Sequence, residues 1–184
     1  MIDIYSYINN FFKTAIQAID VYNEFSLQHE MGIFLRNSIS GYKVQFERDL
    51  SFFGIYDKLA KGGEIDISIF NAEKTEKYAI ELKYQKSGRV PDTMFDCVKD
   101  VKFMEELKSH GFTNTFCVAL FNEGHSIGKQ DGIYKYFRKE HSIYGDVFGQ
   151  TGSTKNQCIS IDGKYDFSWD NIPGRKEKCY VIKI

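Results

Sequence analysis

The sequence of 184 residues lacks several features that would place it in a well-marked class. Its four cysteines show no C-x-x-C spacing and no histidine cluster nearby, so neither a zinc site nor a redox motif is indicated. No apolar stretch reaches the length of a membrane-spanning helix, and the N-terminus lacks the basic start and unbroken apolar core of a signal peptide. We therefore expect a cytoplasmic protein with no membrane partner and with reduced, mostly buried thiols.

Two further absences bear on phosphate chemistry. No glycine-rich loop has the spacing of a nucleotide-binding motif, which argues against an α/β enzyme acting on a small phosphorylated substrate. The chain also lacks the basic excess typical of proteins that hold DNA through phosphate contacts alone, since its formal net charge is −1 and its isoelectric point is near 6.4. A nucleic-acid-binding protein of this composition needs a local basic patch, or a metal ion that supplies part of the positive field.

The chain does contain enough apolar material for one compact core. Hydrophobic residues make up 42% of the sequence and aromatic residues 16%, so a core can form without disulfides. We expect a single domain over residues 1–184. Apolar residues at helical intervals predict an amphipathic helix over residues 4–23, and alternation near the C-terminus predicts a hairpin over residues 157–184 that extends the sheet.

The most informative part of the sequence is a pair of alternating segments, residues 62–70 and 78–84. A period of two sends alternate residues of a strand to opposite faces, which puts Asp66 on the polar face of the first segment and Glu81 beside Lys83 on one face of the second. The short polar turn between the segments predicts a hairpin that brings Asp66 close to Glu81. Two carboxylates and an ammonium group then converge on one small site.

This set of side chains suits a hard divalent cation. Mg²⁺ takes oxygen ligands in near-octahedral geometry and keeps several waters, so one or two carboxylates and a substrate phosphate suffice to bind it. A cation held in this way polarises a phosphoryl oxygen and lowers the pKa of a bound water, and a neighbouring lysine orients that water or offsets developing negative charge. The residues favour hydrolysis of a phosphodiester bond.

With Asp66 followed by the triplet Glu81-Leu82-Lys83, the sequence resembles the PD-(D/E)XK nucleases, which include type II restriction endonucleases and many repair and recombination nucleases. The resemblance covers about residues 25–121. It implies an α/β (α+β) fold with the restriction-endonuclease-like αβββαβ core, a central mixed sheet flanked by helices. The elements expected in that order are a helix around Glu30, a strand over residues 42–48, the hairpin, a helix over residues 93–110 and a strand over residues 114–121.

The resemblance also implies a function. The protein would be a Mg²⁺-dependent endonuclease acting on DNA, with Mn²⁺ as a substitute cation. Asp66 and Glu81 would ligate the metal, Lys83 would position the attacking water, and Glu30 would support the metal site. Duplex DNA is the favoured substrate and a homodimer the expected assembly, because a double-strand cut needs two such sites. A restriction role and a repair or defence role are both compatible with the sequence.

Basic residues that follow the site are candidates for contacts with the DNA backbone. They lie in the next loop and on the next helix and are Lys86, Arg89, Lys99 and Lys102. An alternative is a catalytically inactive module that keeps the fold and binds nucleic acid or assembles with a partner. In that case Glu64, Asp66, Glu81 and Lys83 would form the solvated face of a hairpin. Whether Glu30 or Glu64 joins the metal site is left open by the sequence.

Overall fold

The computed structural model describes residues 1–85, 88 and 90–184. The helices are α1 (Ile4–Lys13), α2 (Glu24–Ser38), α3 (Val90–Ser109) and α4 (Tyr134–Arg138). The strands are β1 (Lys43–Asp49), β2 (Glu64–Phe70), β3 (Lys77–Gln85), β4 (Asn114–Asn122), β5 (Ser142–Phe148), β6 (Cys158–Asp166), β7 (Asp170–Asn171) and β8 (Glu177–Lys183). Short 3₁₀ turns lie at Ala15–Ala18, Leu50–Phe53, Glu123–Ser126 and Gly152–Thr154. Within these described residues, no helix is long and apolar enough to cross a membrane.

A six-stranded mixed sheet occupies the centre of the molecule, with the strand order β1-β2-β3-β4-β8-β7. The first three strands are antiparallel, β3 and β4 are parallel, and β8 runs antiparallel to β4. α2 precedes β1, and α3 connects β3 to β4, so helix, three strands, helix and strand follow in the predicted order. The structure confirms an α/β fold with a mixed sheet flanked by helices, whereas membership of the nuclease family stays a prediction.

Apolar side chains cover both faces of the sheet. One face packs on α1 and α2, and the other packs on α3, α4 and the small sheet of β5 and β6. Ile80 and Leu82 on β3 belong to the core beside α1 and α2, while Ala79 belongs to the core beside α3. Because side chains alternate along a strand, Glu81 and Lys83 face α3. The predicted site residues of β3 therefore lie between the sheet and α3.

The first turn of α2 is fixed by a capping box. Asn23 Oδ1 accepts a hydrogen bond from the Ser26 N–H at 2.8 Å, and Ser26 Oγ accepts one from the Asn23 N–H at 3.0 Å. Reciprocal bonds of this kind satisfy donors that the helix itself leaves without partners. They also fix the position of Glu24, the first residue of the helix, which lies at the candidate site.

Gly32 allows α2 to approach β1 closely, since a Cβ atom at this position would overlap the ring of Phe46. We expect Gly32→Ala to lower the free energy of unfolding by about 1–3 kcal/mol, because the ring has to move, even though alanine favours a helix. Denaturant unfolding measures the change. Gly62→Ala is the matched control, because an added Cβ there meets nothing within 4 Å. Equal stability of the two variants would contradict the close approach of α2 and β1.

The N-terminal helix is shorter than the sequence predicts. α1 ends at Lys13 instead of continuing to residue 23, and a 3₁₀ turn at Ala15–Ala18 follows it. Thr14 donates both its N–H, at 2.9 Å, and its hydroxyl, at 2.7 Å, to the carbonyl oxygen of Asn10. A hydroxyl that bonds to the preceding turn competes with regular helix continuation.

The C-terminal segment, residues 157–184, extends the central sheet through β8 as predicted, but the predicted hairpin is wrong because its two strands belong to different sheets. β6 pairs with β5, and β8 pairs with β4 in the central sheet. The carboxylate of Glu105 on α3 accepts hydrogen bonds from the N–H groups of Asp162, at 3.1 Å, and Gly163, at 2.8 Å. A buried acid on α3 thus holds β6 beside that helix.

Candidate active site

Strands β2 and β3 separate at Asp66, and we call this separation the fork. Regular pairing of the two strands ends with Ile67 opposite Ile80. Side chains then take the place of the backbone ladder. The Leu82 N–H donates to Asp66 Oδ2 at 2.7 Å, and the Asp66 N–H donates to Glu81 Oε1 at 3.3 Å. The fork therefore holds the two predicted metal ligands together, as the hairpin pattern indicates.

The backbone of Asp66 is also held from the side of α2. Gln28 Nε2 donates to the Asp66 carbonyl oxygen at 2.8 Å and to the carboxylate of Glu47 on β1. Glu47 has a φ of 45°, in the left-handed region that residues other than glycine rarely adopt. Backbone strain of this kind concentrates at functional sites, where the surrounding structure maintains it. Gln28 and Glu47 thus fix the strand that carries Asp66.

Two lysine side chains reach the carboxylates from different elements. Lys61, in the loop before β2, forms an ion pair with Glu81, and its Nζ lies 3.3 Å from Asp100 Oδ1. Lys83 Nζ lies 3.5 Å from Glu24 Oε2 and 3.6 Å from Asp100 Oδ2. Asp100 lies on α3, is 3% exposed, and joins the two lysines. The site is a cluster of alternating charges between α2, α3 and the fork.

Burial changes the protonation of the two carboxylates in the fork. Burial raises the pKa of Asp66 to about 6, although the charge of Lys61 and the N–H of Leu82 partly oppose it. Glu81 is 1% exposed, and burial together with the charge of Asp66 raises its pKa well above the ordinary value. Strongly shifted acids with specific charged neighbours are typical of functional sites.

Both lysines of the cluster carry a charge at neutral pH. Burial by itself lowers the pKa of Lys83, but the carboxylates of Asp100 and Glu24 outweigh burial and raise it above the ordinary value. In the same way Asp100 and Glu81 raise the pKa of Lys61. A charged ammonium group donates hydrogen bonds and accepts none. Neither lysine is therefore suited to take a proton from a substrate or a water.

The helix carboxylate at the site is Glu24 and not Glu30. Glu30 lies two residues after Gln28, which is about 200° around the helix from the side chain that holds Asp66. Its carboxylate lies 3.6 Å from Nδ1 of His29, and 32% of its side chain is exposed. Glu64, the other open candidate, is exposed at the start of β2.

Sequence reasoning missed Lys61, Asp100 and Glu24. Asp100 had a recognisable signal, because it occupies a buried position of α3 between the core residues Cys97 and Met104. A charged residue in the apolar stripe of a helix needs a partner. Lys61 and Glu24 gave no comparable signal, since a loop lysine and an acid in a first helical turn are ordinary surface features.

The structure describes two of the four basic residues that the sequence predicts as DNA contacts. Lys86 and Arg89 lie outside the described residues. Lys99 lies on α3 with its Nζ 3.1 Å from Asp96 Oδ1. Lys102 Nζ lies 2.7 Å from Asp162 Oδ2. The two helix lysines are thus paired with carboxylates, which reduces the charge they offer to a DNA phosphate.

The donors in the fork fit Mg²⁺ in kind. Asp66 and Glu81 supply carboxylate oxygens, and Mg²⁺ needs only one or two such ligands beside waters and a substrate phosphate. Among residues 1–85, 88 and 90–184, no three or more His, Cys, Asp or Glu side chains form a metal-ligand group. A cation here would depend on two protein carboxylates and on water.

Comparisons of the chain with protein-family models, with curated proteins and with solved structures found no match. Family membership is therefore not established by similarity. Function has to be inferred from the geometry and chemistry of the site, because a fold by itself does not define an activity.

Proposed function

We propose that the protein is a metal-dependent endonuclease that hydrolyses phosphodiester bonds of DNA with Mg²⁺ as its cation. The observation that carries this proposal is the pair of acids in the fork, Asp66 and Glu81: the backbone N–H of Asp66 donates to Glu81 Oε1 at 3.3 Å, and both acids have a raised pKa. A solvated hairpin face would expose these acids, whereas Glu81 is 1% exposed. Burying two neighbouring acids costs stability, which favours a functional reason for the arrangement.

The charge balance of the cluster supports a divalent cation. Its members are the carboxylates of Glu24, Asp66, Glu81 and Asp100 and the ammonium groups of Lys61 and Lys83. When all six are ionised, two negative charges remain without compensation. One divalent cation neutralises the cluster, and a carboxylate-rich site with such an excess selects hard cations over anions.

The proposed roles follow from the contacts. Asp66 and Glu81 would hold the cation, which when bound would polarise a phosphoryl oxygen of the substrate and lower the pKa of a bound water. Lys83 donates a hydrogen bond to the attacking water or to a phosphate oxygen, and its charge offsets the negative charge that develops there. Asp100 and Glu24 position the Lys83 ammonium group from two sides.

Duplex DNA as substrate, a homodimer as the assembly and a cytoplasmic location belong to the same proposal. A cut through both strands needs two sites of opposite orientation, which a two-fold dimer provides. The near-neutral net charge of −1 is compatible with DNA binding because the cation supplies part of the positive field.

The test is cleavage of supercoiled plasmid and of single-stranded DNA by the purified protein with Mg²⁺, Mn²⁺ or EDTA. We expect nicked and linear products with either cation, none with EDTA, and none from Asp66→Ala. Glu73→Gln is the control, because Glu73 is an exposed acid in the turn between β2 and β3. Absence of cleavage together with absence of Mg²⁺ binding by calorimetry would contradict the proposal and favour an inactive nucleic-acid-binding or assembly module.

A further inference from the structure

We propose that Lys61 is a resident counter-ion of the fork, which a divalent cation has to displace from Glu81 in order to bind. The inference deepens the proposed function, on which it rests for the identity of the cation. Its test measures cation binding and loop motion, so its outcome is separate from that of the cleavage assay.

The position of the Lys61 ammonium group carries the proposal. It pairs with Glu81, lies 3.3 Å from Asp100 Oδ1, and its charge also acts on Asp66. A cation ligated by Asp66 and Glu81 would contact the same Glu81 carboxylate with which Lys61 pairs. Two positive charges a few ångströms apart repel strongly in a partly buried site. Cation and ammonium group are therefore alternative partners of Glu81.

The loop that carries Lys61 can release it without unfolding the core. Its flanking glycines, Gly54 and Gly63, have φ values of 77° and 71°. Ile55 is buried and Leu59 is partly buried, and these side chains anchor the first half of the loop to the core beside α3. The Lys61 side chain is 31% exposed. Release of the ammonium group on its flexible four-carbon stem frees the end of the loop around Lys61 from the fork, while Ile55 and Leu59 keep the first half of the loop attached.

In the metal-free protein, a positively charged side chain at this position stabilises the fork. Glu81 is almost fully buried next to Asp66, and two such acids without a cation repel each other and lose hydration. Lys61 compensates this cost and keeps the fork assembled. The same contact weakens the affinity for the cation, because binding has to replace an existing ion pair.

The experiment is calorimetric titration of Mg²⁺ and Mn²⁺ into the wild-type protein and into the variants Lys61→Met, Lys61→Arg and Lys58→Met. A pH of about 8 keeps Asp66 ionised. We expect Lys61→Met to bind the cation at least about tenfold more tightly, because the competing charge is gone. Lys61→Arg keeps the charge and should resemble the wild type. Lys58→Met removes an exposed lysine of the same loop and is the matched control.

Amide hydrogen exchange gives a second measurement on the unmodified protein. Mg²⁺ should speed exchange in residues 58–62 of the wild type, because Lys61 leaves Glu81, and should have no such effect in Lys61→Met. If the substitution prevents folding, the wild-type exchange alone decides.

Unchanged or weaker cation binding by Lys61→Met, no change of exchange with Mg²⁺, or no cation binding by any variant would each overturn the proposal. If Lys61→Met binds the cation more tightly but the wild type does not cleave DNA, the counter-ion proposal is supported and the nuclease proposal is contradicted. If the wild type cleaves DNA but Lys61→Met gains no affinity for the cation, the nuclease proposal is supported and the counter-ion proposal is contradicted. The two proposals can therefore fail separately.

Discussion

Replacing Lys83 by methionine is expected to slow DNA cleavage by about 10²–10⁴-fold, because the substitution removes a charged donor from the reacting phosphate. The ammonium group of Lys83 is held by Glu24 at 3.5 Å and by Asp100 at 3.6 Å. The carboxylates in contact with Lys83 therefore differ from the proposed metal ligands in the fork. Metal affinity should change much less than the cleavage rate.

Two variants make the test of Lys83 specific. Lys83→Arg keeps the charge but changes its geometry, and we expect an intermediate rate. Lys13→Met removes an exposed lysine on α1 and serves as the control. Single-turnover cleavage measures the chemical step, and calorimetry measures Mg²⁺ affinity. Full activity of Lys83→Met would exclude a catalytic role for Lys83. A loss of Mg²⁺ affinity as large as the loss of cleavage rate would show that Lys83 supports the fold of the site instead.

Local periodicity was sufficient to predict the hairpin of β2 and β3, although not the separation of its strands at Asp66. Alternation along two short segments, with a polar turn between them, predicts the hairpin, and the structure pairs β2 with β3 antiparallel. The same pattern predicts that Asp66 lies close to Glu81, and in the structure the backbone N–H of Asp66 donates a hydrogen bond to Glu81 Oε1 at 3.3 Å. These features depend on residues within one hairpin, where register follows from the turn and the alternation.

Features that depend on distant contacts were not predictable in this way. β6 and β8 belong to different sheets, and β6 is bonded through its backbone to Glu105 on α3, more than fifty residues away. Lys61 and Asp100 meet only because α3 crosses the sheet next to the fork. Sequence periodicity indicates which face of an element is buried, but not which neighbour covers that face.

Which of the two acids Glu24 and Glu30 on α2 lies at the site also depends on distant contacts and not on local periodicity. Both are acids on α2, and the apolar pattern of this helix does not separate them. Glu24 reaches β3, since Glu24 Oε2 accepts a hydrogen bond from the Tyr84 N–H at 3.1 Å and lies near Lys83. The rotation of α2 about its axis decides which acid faces the site. This rotation is fixed by the hydrogen bond from Gln28 to the Asp66 carbonyl oxygen and by the close contact of Gly32 with the ring of Phe46.

Replacing Asp66 by asparagine should stabilise the metal-free protein above about pH 6, by up to about 3 kcal/mol. Burial raises the pKa of Asp66 from 3.8 to about 6. Below about pH 3 the carboxyl group is protonated in both the folded and the unfolded state, and it contributes nothing to the pH dependence. Between these values the folded protein holds a proton that the unfolded chain has lost, so wild-type stability falls as pH rises.

Asparagine carries no charge, and its amide oxygen can still accept the hydrogen bond from Leu82 that Asp66 accepts at 2.7 Å. The advantage of Asp66→Asn should therefore grow from about pH 3 to about pH 6 and then stay constant. Urea unfolding in EDTA across this range measures it, with Glu73→Gln as the control. Saturating Mg²⁺ should stabilise the wild type and not the variant. Destabilisation by Asp66→Asn at neutral pH would instead show that the favourable effect of the Lys61 charge on the Asp66 carboxylate outweighs the cost of burial. It would then weaken the argument that the site is retained at a cost in stability.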